Sequence, residues 1–303
     1  SAILARQFGT SNPPTVLANK GVLPKWSPDS TRLAFLRSAG LTKGLFTITA
    51  YGTEEQQLAS NGLTAPSYVV LPYQRFEASE FDWAPDGLSL VYCANRNGYA
   101  NLWMVTVADK QDRQLTANTD ANVQLYCPLW APNGRLIAYT TRSGRATADG
   151  KFLSGLWIYD FAANQAKLLF EADFFTRVLG WLSSEELLLA SRGQNAGLAK
   201  PAEVTLWRVA THTGERRPAT TLTDAYLYNI HLDKSGRLAF SAHRDGKDDL
   251  WMLPTADGKA KRITNNQDPR VYFSSLAWTP NGQMIYYGKQ VRYSQLALIS
   301  NFE

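Results

Sequence analysis

The sequence predicts an all-β fold, a six-bladed β-propeller of four-stranded antiparallel blades. Three observations predict it. First, a short motif recurs: Trp26-Ser27-Pro28-Asp29-Ser30, Trp83-Ala84-Pro85-Asp86-Gly87, Trp130-Ala131-Pro132-Asn133-Gly134 and Trp278-Thr279-Pro280-Asn281-Gly282. Second, each copy precedes a short apolar run, such as Leu90-Val91-Tyr92 or Ile137-Ala138-Tyr139. Third, weaker copies at Trp181 and Leu232 fill the gap, so that six anchors stand 46 to 57 residues apart. That spacing suits a four-stranded propeller blade.

The elements of one repeat follow in order. The innermost strand ends at the Trp, and Pro with Asp or Asn and Gly or Ser turns the chain. The apolar run is the returning second strand. The third carries Leu-Trp, as in Leu102-Trp103, Leu156-Trp157, Leu206-Trp207 and Leu250-Trp251. Turns such as Ala256-Asp257-Gly258 lead to a fourth, outermost strand. No segment has the period of an amphipathic helix. Blades are expected at approximately 22–59, 78–118, 123–170, 176–222, 227–265 and 272–300, in one domain over 1–303. Residues 5–12 match the outermost segments 112–118 and 261–266, whereas the last repeat has no such segment of its own. The N-terminal strand, within 4–10, is therefore expected to complete the sixth blade and close the ring, which removes two exposed sheet edges.

Composition narrows the function. A net charge of +5, without any Lys or Arg run, argues against nucleic-acid binding by this segment. Nine Trp, 14 Tyr and 13 Phe suit sheets packed face to face. No run approaches the ~20 apolar residues of a membrane helix. The chain starts at Ser1, and any targeting or anchoring part is expected upstream, so that membrane contact would come only through that region. Cys93 and Cys127 are read as small buried side chains, with a disulfide between neighbouring blades as the alternative.

The repeat then acquires a family likeness. Trp-Ser/Ala-Pro-Asp/Asn-Gly, Arg96-Asn97-Gly98 and Arg244-Asp245-Gly246, Leu-Trp, Asp-Gly and Arg-Leu/Ile-Thr together resemble the TolB-like propeller repeat over essentially the whole chain. The resemblance implies six blades, a periplasmic or extracytoplasmic location, and binding of partners rather than catalysis. The ending Leu298-Ile299-Ser300-Asn301-Phe302-Glu303 also resembles the end of membrane-bound bacterial regulators, in which a winged-helix domain and a membrane helix precede such a propeller.

Catalytic signatures are sparse. There is no Gly-x-Ser-x-Gly elbow. His212, His231 and His243 fall at different repeat positions, so neither a metal site nor a triad is expected, and no cofactor is implied. Asp245-Gly246-Lys247-Asp248-Asp249 lacks the alternating ligands of a Ca²⁺ loop and reads as a polar hairpin turn.

The candidate binding residues precede the innermost strands: Tyr73, Arg75 and Phe76; Gln124 and Tyr126; Phe174, Phe175 and Arg177; Tyr226 and Tyr228; Arg270, Tyr272 and Phe273. These connections share a face with the second-to-third loops, of which 142–154 and 192–203 are long. Aromatic and Arg side chains make binding hot spots. Arg75, Phe76, Tyr126, Phe175, Arg177, Tyr228 and Tyr272 are thus expected to line the channel mouth. The competing reading packs them between blades. The expectation is a non-enzymatic recognition propeller for a protein, peptide or small ligand: the sensor of a membrane-bound regulator, or alternatively a free TolB-like partner or the propeller of a peptidase or lyase.

Overall fold

The Trp-x-Pro motifs at Trp26, Trp83 and Trp130 fold into the turn their residues dictate. The amides of Ser30, Gly87 and Gly134 donate to the carbonyls of Ser27, Ala84 and Ala131, each at 2.9 Å. The fourth residue is left-handed, with φ of 61° at Ser30, 73° at Gly87 and 72° at Gly134. The Asp or Asn side chain caps the turn, since Asp29, Asp86 and Asn133 accept from the amides of Thr31, Leu88 and Arg135 at 2.8–3.1 Å. Ser30 alone among these three holds a left-handed backbone with a β-carbon. Replacing it with Gly should stabilise the protein by about 0.5–1 kcal/mol, read as a raised urea midpoint at unchanged slope. A neutral or destabilising result would contradict the assignment.

The computed structural model describes residues 2–5, 15–19, 21–39, 42–60, 69–71, 74–76, 81–150, 152–172, 174–193, 201–278, 282 and 285–291. Among these every regular element is a strand. Three complete four-stranded antiparallel sheets follow one another. The first comprises Gly21–Trp26, Arg32–Ala39, Thr42–Thr49 and Gln56–Ala59. Phe81–Trp83, Ser89–Arg96, Tyr99–Thr106 and Asp112–Gln114 make the second. Val123–Trp130, Leu136–Ala146, Phe152–Asp160 and Gln165–Ala172 make the third. Strand order within each sheet follows the chain, as meandering hairpins require.

The chain divides into two compact units, 1–189 with 208–217 and 190–207 with 218–303. The boundary falls within the strands of the fourth repeat, Phe174–Trp181, Glu186–Gly193, Ala202–Ala210 and Arg216–Leu232. In the second unit the end of Arg216–Leu232 pairs with Leu238–Arg244, followed by Lys247–Leu253 and Lys261–Arg262. Val271–Trp278 pairs with Ile285–Val291. At the N-terminus, Ala2–Ala5 pairs with Thr15–Asn19 in a hairpin absent from the sequence reading. The remainder of the expected closing strand, and the chain beyond Val291, lie outside the described residues.

Packing explains why the second strands are continuous apolar runs rather than alternating ones. Leu90, Tyr92 and Ala94 face a core shared with Leu36, Leu45 and Leu58 of the first sheet. Val91 and Cys93, on the other side, join Leu125, Ile137, Tyr139 and Tyr159 of the third. A strand buried on both faces needs apolar residues at every position. Cys93 and Cys127 are both buried.

The anchoring Trp side chains do more than fill space. Trp83 Nε1 donates to the carbonyl of Lys25 at 3.0 Å, and Trp181 Nε1 to that of Leu129 at 3.2 Å. In the second unit Trp278 Nε1 reaches the carbonyl of His231 at 3.1 Å. Each acceptor lies one residue before an earlier repeat's anchor, so the indole bolts one innermost strand to another. Trp130 departs from this pattern: its ring stacks on Phe161 at 4.8 Å, and its Nε1 is buried without a partner among the described residues. Trp26 is 39% exposed, whereas Trp83 is 5% exposed.

A polar lock fixes the outermost segments. Asn101 Oδ1 accepts from Thr116 Oγ1 and the Asn118 amide at 2.8 and 2.7 Å. Asp249 Oδ1 accepts from Thr264 Oγ1 and the Asn266 amide at 2.7 and 2.8 Å. Thr116 and Thr264 in turn accept from the amides of Leu102 and Leu250, each at 2.9 Å. The Thr of Arg-Leu/Ile-Thr therefore closes a repeat by satisfying groups that the short outermost strand leaves unpaired.

Candidate functional site

Five of the seven candidate residues, Tyr126, Phe175, Arg177, Tyr228 and Tyr272, sit on innermost strands, which corrects their assignment to connecting loops. Tyr126 lies in Val123–Trp130, Arg177 and Phe175 in Phe174–Trp181, Tyr228 in Arg216–Leu232 and Tyr272 in Val271–Trp278. Arg75 and Phe76 lie in Gln74–Phe76, which pairs with Val69–Leu71. Tyr126, Arg177 and Tyr272 are partly buried. The side chains of Arg75, Phe76, Phe175 and Tyr228, and all of Tyr73, fall outside the described residues. Tyr226 and Phe273 are 4% exposed and belong to the packing alternative. Arg270 is exposed and pairs with Asp268 at 2.8 Å. Arg75, Phe76, Tyr126, Phe175 and Arg177 belong to the first unit, and Tyr228 and Tyr272 to the second.

Irregularities in the innermost strands separate these residues from the Trp anchors. Register shifts fall between Val22 and Lys25, Tyr126 and Leu129, Ala225 and Ile230, and Ser274 and Ala277. Leu23 and Cys127, each followed by Pro, adopt φ of 55° and 52°. A bulge inserts a residue, bends its strand and re-aims the side chains ahead of it. The sequence gives little warning of this, because a left-handed Leu or Cys is unusual. The 142–154 segment is also not a free loop: Arg142 pairs with Ser154 and Ala146 with Phe152, so the hairpin continues outward. Residues 194–200 of the other long loop lie outside the described residues.

Polar ties hold the innermost strands at the anchor level. Asp82 Oδ1 receives Lys25 Nζ at 3.1 Å, and its Oδ2 accepts from the Trp130 amide at 3.0 Å. One carboxylate thereby joins three successive innermost strands. In the second unit Asn229 Nδ2 donates to Ser241 Oγ at 3.1 Å and to the Phe273 carbonyl at 3.0 Å.

A second cluster was missed by sequence reasoning. Asp248, fully buried, places Oδ1 at 2.6 Å from His243 Nδ1 and accepts from the Tyr226 hydroxyl at 3.2 Å. Burial pushes its carboxyl above the usual range, against the opposing pull of His243, Tyr226 and the Phe273 backbone. His243 thus has a buried carboxylate partner, which comparing the repeat positions of the three histidines did not address. The signal was present: Asp245 and Gly246 are both left-handed, at 52° and 75°, as a two-residue hairpin turn requires. That turn sets Arg244 opposite Lys247 and hence His243 opposite Asp248.

A cleft of about 330 Å³ opens in the first unit, at the end of the sheets that carries the Trp-x-Pro turns. Its walls include Arg135, Asp160, Lys167, Glu185 and His212 over Leu136 and Ile158. Arg135 pairs with Asp160 at 3.1 Å, which holds that carboxyl below its usual range, and Lys167 Nζ donates to the His212 carbonyl at 3.1 Å. None of the sequence candidates lies in it. No group of three His, Cys, Asp or Glu side chains suited to a metal occurs among the described residues.

No family model matches the chain. A stretch of 125 residues, 40% of the chain, is 28% identical to an uncharacterized peptidase, YuxL, of Bacillus subtilis, and spans 17% of that protein's length. The propeller domain of the Trilobed protease from Pyrococcus furiosus superposes with a TM-score of 0.63 at 12% identity, over 93% of this chain and 78% of that one. Putative TolB from Agrobacterium tumefaciens gives 0.56 at 13% identity, over 93% and 95%. The chain thus has an all-β propeller-type fold similar to TolB and to peptidase propeller domains. The expectation that it is no enzyme is corrected, because the similarity at the level of sequence is to a peptidase. The expected sensor role gains no support from these likenesses.

Proposed function

We propose that this chain is the substrate-recognition propeller of a peptidase-type protein, capturing extended peptide at its channel mouth. The observation that carries the reading is the sequence similarity to a peptidase over two-fifths of the chain. In this reading six blades form one ring, closed by the N-terminal strand, and the residues ahead of the bulges on the innermost strands face a common mouth. The recurrence of the Trp anchors and of the Trp-to-carbonyl bolts supports it. Arg75 and Arg177 supply bidentate donors for peptide carbonyls and acidic side chains, and Tyr126, Tyr228 and Tyr272 supply aromatic surface.

Fluorescent octapeptides graded in acidic content provide the test, titrated against the protein by anisotropy. Arg177→Ala in the fourth repeat and Tyr272→Ala in the sixth are each expected to weaken the same peptide about tenfold, or ~1.4 kcal/mol. Absence of binding, or loss of response to one substitution alone, would sink the shared mouth. The TolB resemblance adds an extracytoplasmic location, which recovery of the protein in a cytosolic fraction would remove.

A further inference from the structure

We propose that Tyr226, His243 and Asp248 form a proton-operated clamp that fastens the Arg244–Lys247 hairpin to the innermost strand of the fifth repeat. The proposal concerns this repeat alone and does not rest on peptide recognition. Asp248 is 0% exposed, and its side chain reaches no solvent. Oδ1 carries both bonds, to His243 and Tyr226, while Oδ2 is buried with no partner among the described residues. A buried carboxylate left with an unpaired oxygen is costly unless a proton or a counter-charge offsets it.

The surroundings leave His243 as that counter-charge. Arg244, next in sequence, turns away: its guanidinium stacks over Trp251 at 4.1 Å and bonds to Thr223. Lys247 donates to Gln267 at 3.4 Å. Asp249 points to the other side of the strand, into its lock with Thr264 and Asn266, and lies 3.8 Å from Arg262. From Arg216–Leu232 comes the neutral Tyr226 hydroxyl, and from Val271–Trp278 the backbone of Phe273. The His243 side chain is 31% exposed, and its Nδ1 lies on the buried carboxylate.

One proton shared by this pair therefore decides the clamp. With the proton bound, the pair is either imidazolium with carboxylate or imidazole with carboxylic acid, and both are neutral overall. With the proton lost, a carboxylate remains buried beside a neutral ring. The folded state holds the carboxyl proton more tightly than the unfolded chain does, since burial raises Asp248. The clamp's contribution is thus fully present at acid pH and is lost as pH rises through the folded-state value. The second, third and fourth repeats carry Ala100, Ser154 and Val204 where this one carries Asp248, so they lack the device.

Hydrogen exchange of the 303-residue chain tests it, read on amides 241–250 from about pH 4, near the ordinary Asp value, up to about pH 8 and corrected for intrinsic rates. Protection in the wild type is expected to fall severalfold relative to Asp248→Asn as pH rises over that range. His243→Gln, at a partly exposed position, removes a group that pulls the Asp248 carboxyl down and should carry the loss of protection to higher pH, which keeps the test decisive if Asp248→Asn fails to fold. Parallel profiles for the wild type and either variant would overturn the clamp. A pH response spread evenly over both compact units would do the same. Peptide affinity measured in parallel reports on the mouth separately, so failure of one reading leaves the other standing.

Discussion

Trp83→Ala is expected to destabilise the protein by about 3–5 kcal/mol, enough to abolish folding in a marginally stable chain. Trp83 is 5% exposed and packs with Phe81, Leu90, Tyr92 and Val105 of its own sheet and Leu36, Leu45 and Leu58 of the first. Truncation removes the ring from a two-sheet core and leaves a cavity that rigid strands cannot fill. It also orphans the Lys25 carbonyl, which now accepts the indole N–H at 3.0 Å. The two contributions separate experimentally. Trp83→Phe keeps most of the packing and loses only the donor, at a cost of about 1–2 kcal/mol. Trp26→Ala, at an anchor 39% exposed, should cost about 1 kcal/mol or less. Urea unfolding at constant slope measures all three. Equal losses at Trp26 and Trp83 would mean that the motif, not its packing, sets the cost.

What could be read from the sequence follows the physics of each feature. The turns were legible because few residues tolerate a left-handed backbone, so Gly87, Gly134 and the Asp245-Gly246 pair announce themselves. The second strands were legible as continuous apolar runs, because strands sandwiched between two sheets cannot alternate. The bulges were not, since Leu23 and Cys127 occupy backbone conformations that their side chains disfavour, imposed by the fold rather than chosen by the residue. The candidate residues were chosen by type and spacing, and Tyr126, Phe175, Arg177, Tyr228 and Tyr272 were assigned to loops because nothing local marks where the innermost strands begin. His243 was judged by repeat position, where it looked solitary, and Asp248 as part of a polar hairpin turn. Their contact comes from hairpin register, which the same Asp-Gly turn determines. The Arg-Leu/Ile-Thr pattern was visible, but its purpose lay 15 residues away in Asp249 and Asn101.

That lock carries the second large effect. Asp249→Ala should cost about 2–4 kcal/mol, because one buried carboxylate holds three elements together. Its Oδ1 accepts from Thr264 Oγ1 and the Asn266 amide, and Thr264 accepts from the Leu250 amide. Asn266, once positioned, donates to the carbonyls of Asp248 and Asp268 at 3.1 and 2.9 Å. Without Asp249 these donors and acceptors must find water at the base of a strand of only two residues, Lys261–Arg262. The second repeat supplies the control within the same chain. Asn101 makes the same two acceptor bonds with an amide oxygen, so Asp249→Asn should retain the geometry and stay within about 1 kcal/mol of wild type. Urea unfolding gives the energies, and hydrogen exchange over 261–270 shows whether the outermost segment peels away first. An Asp249→Asn loss as large as that of Asp249→Ala would assign the effect to the carboxylate charge and its 3.8 Å approach to Arg262 rather than to the acceptor geometry. A small loss for both would mean that the outermost segment is held by the backbone bond from Ile263 to Leu250 alone.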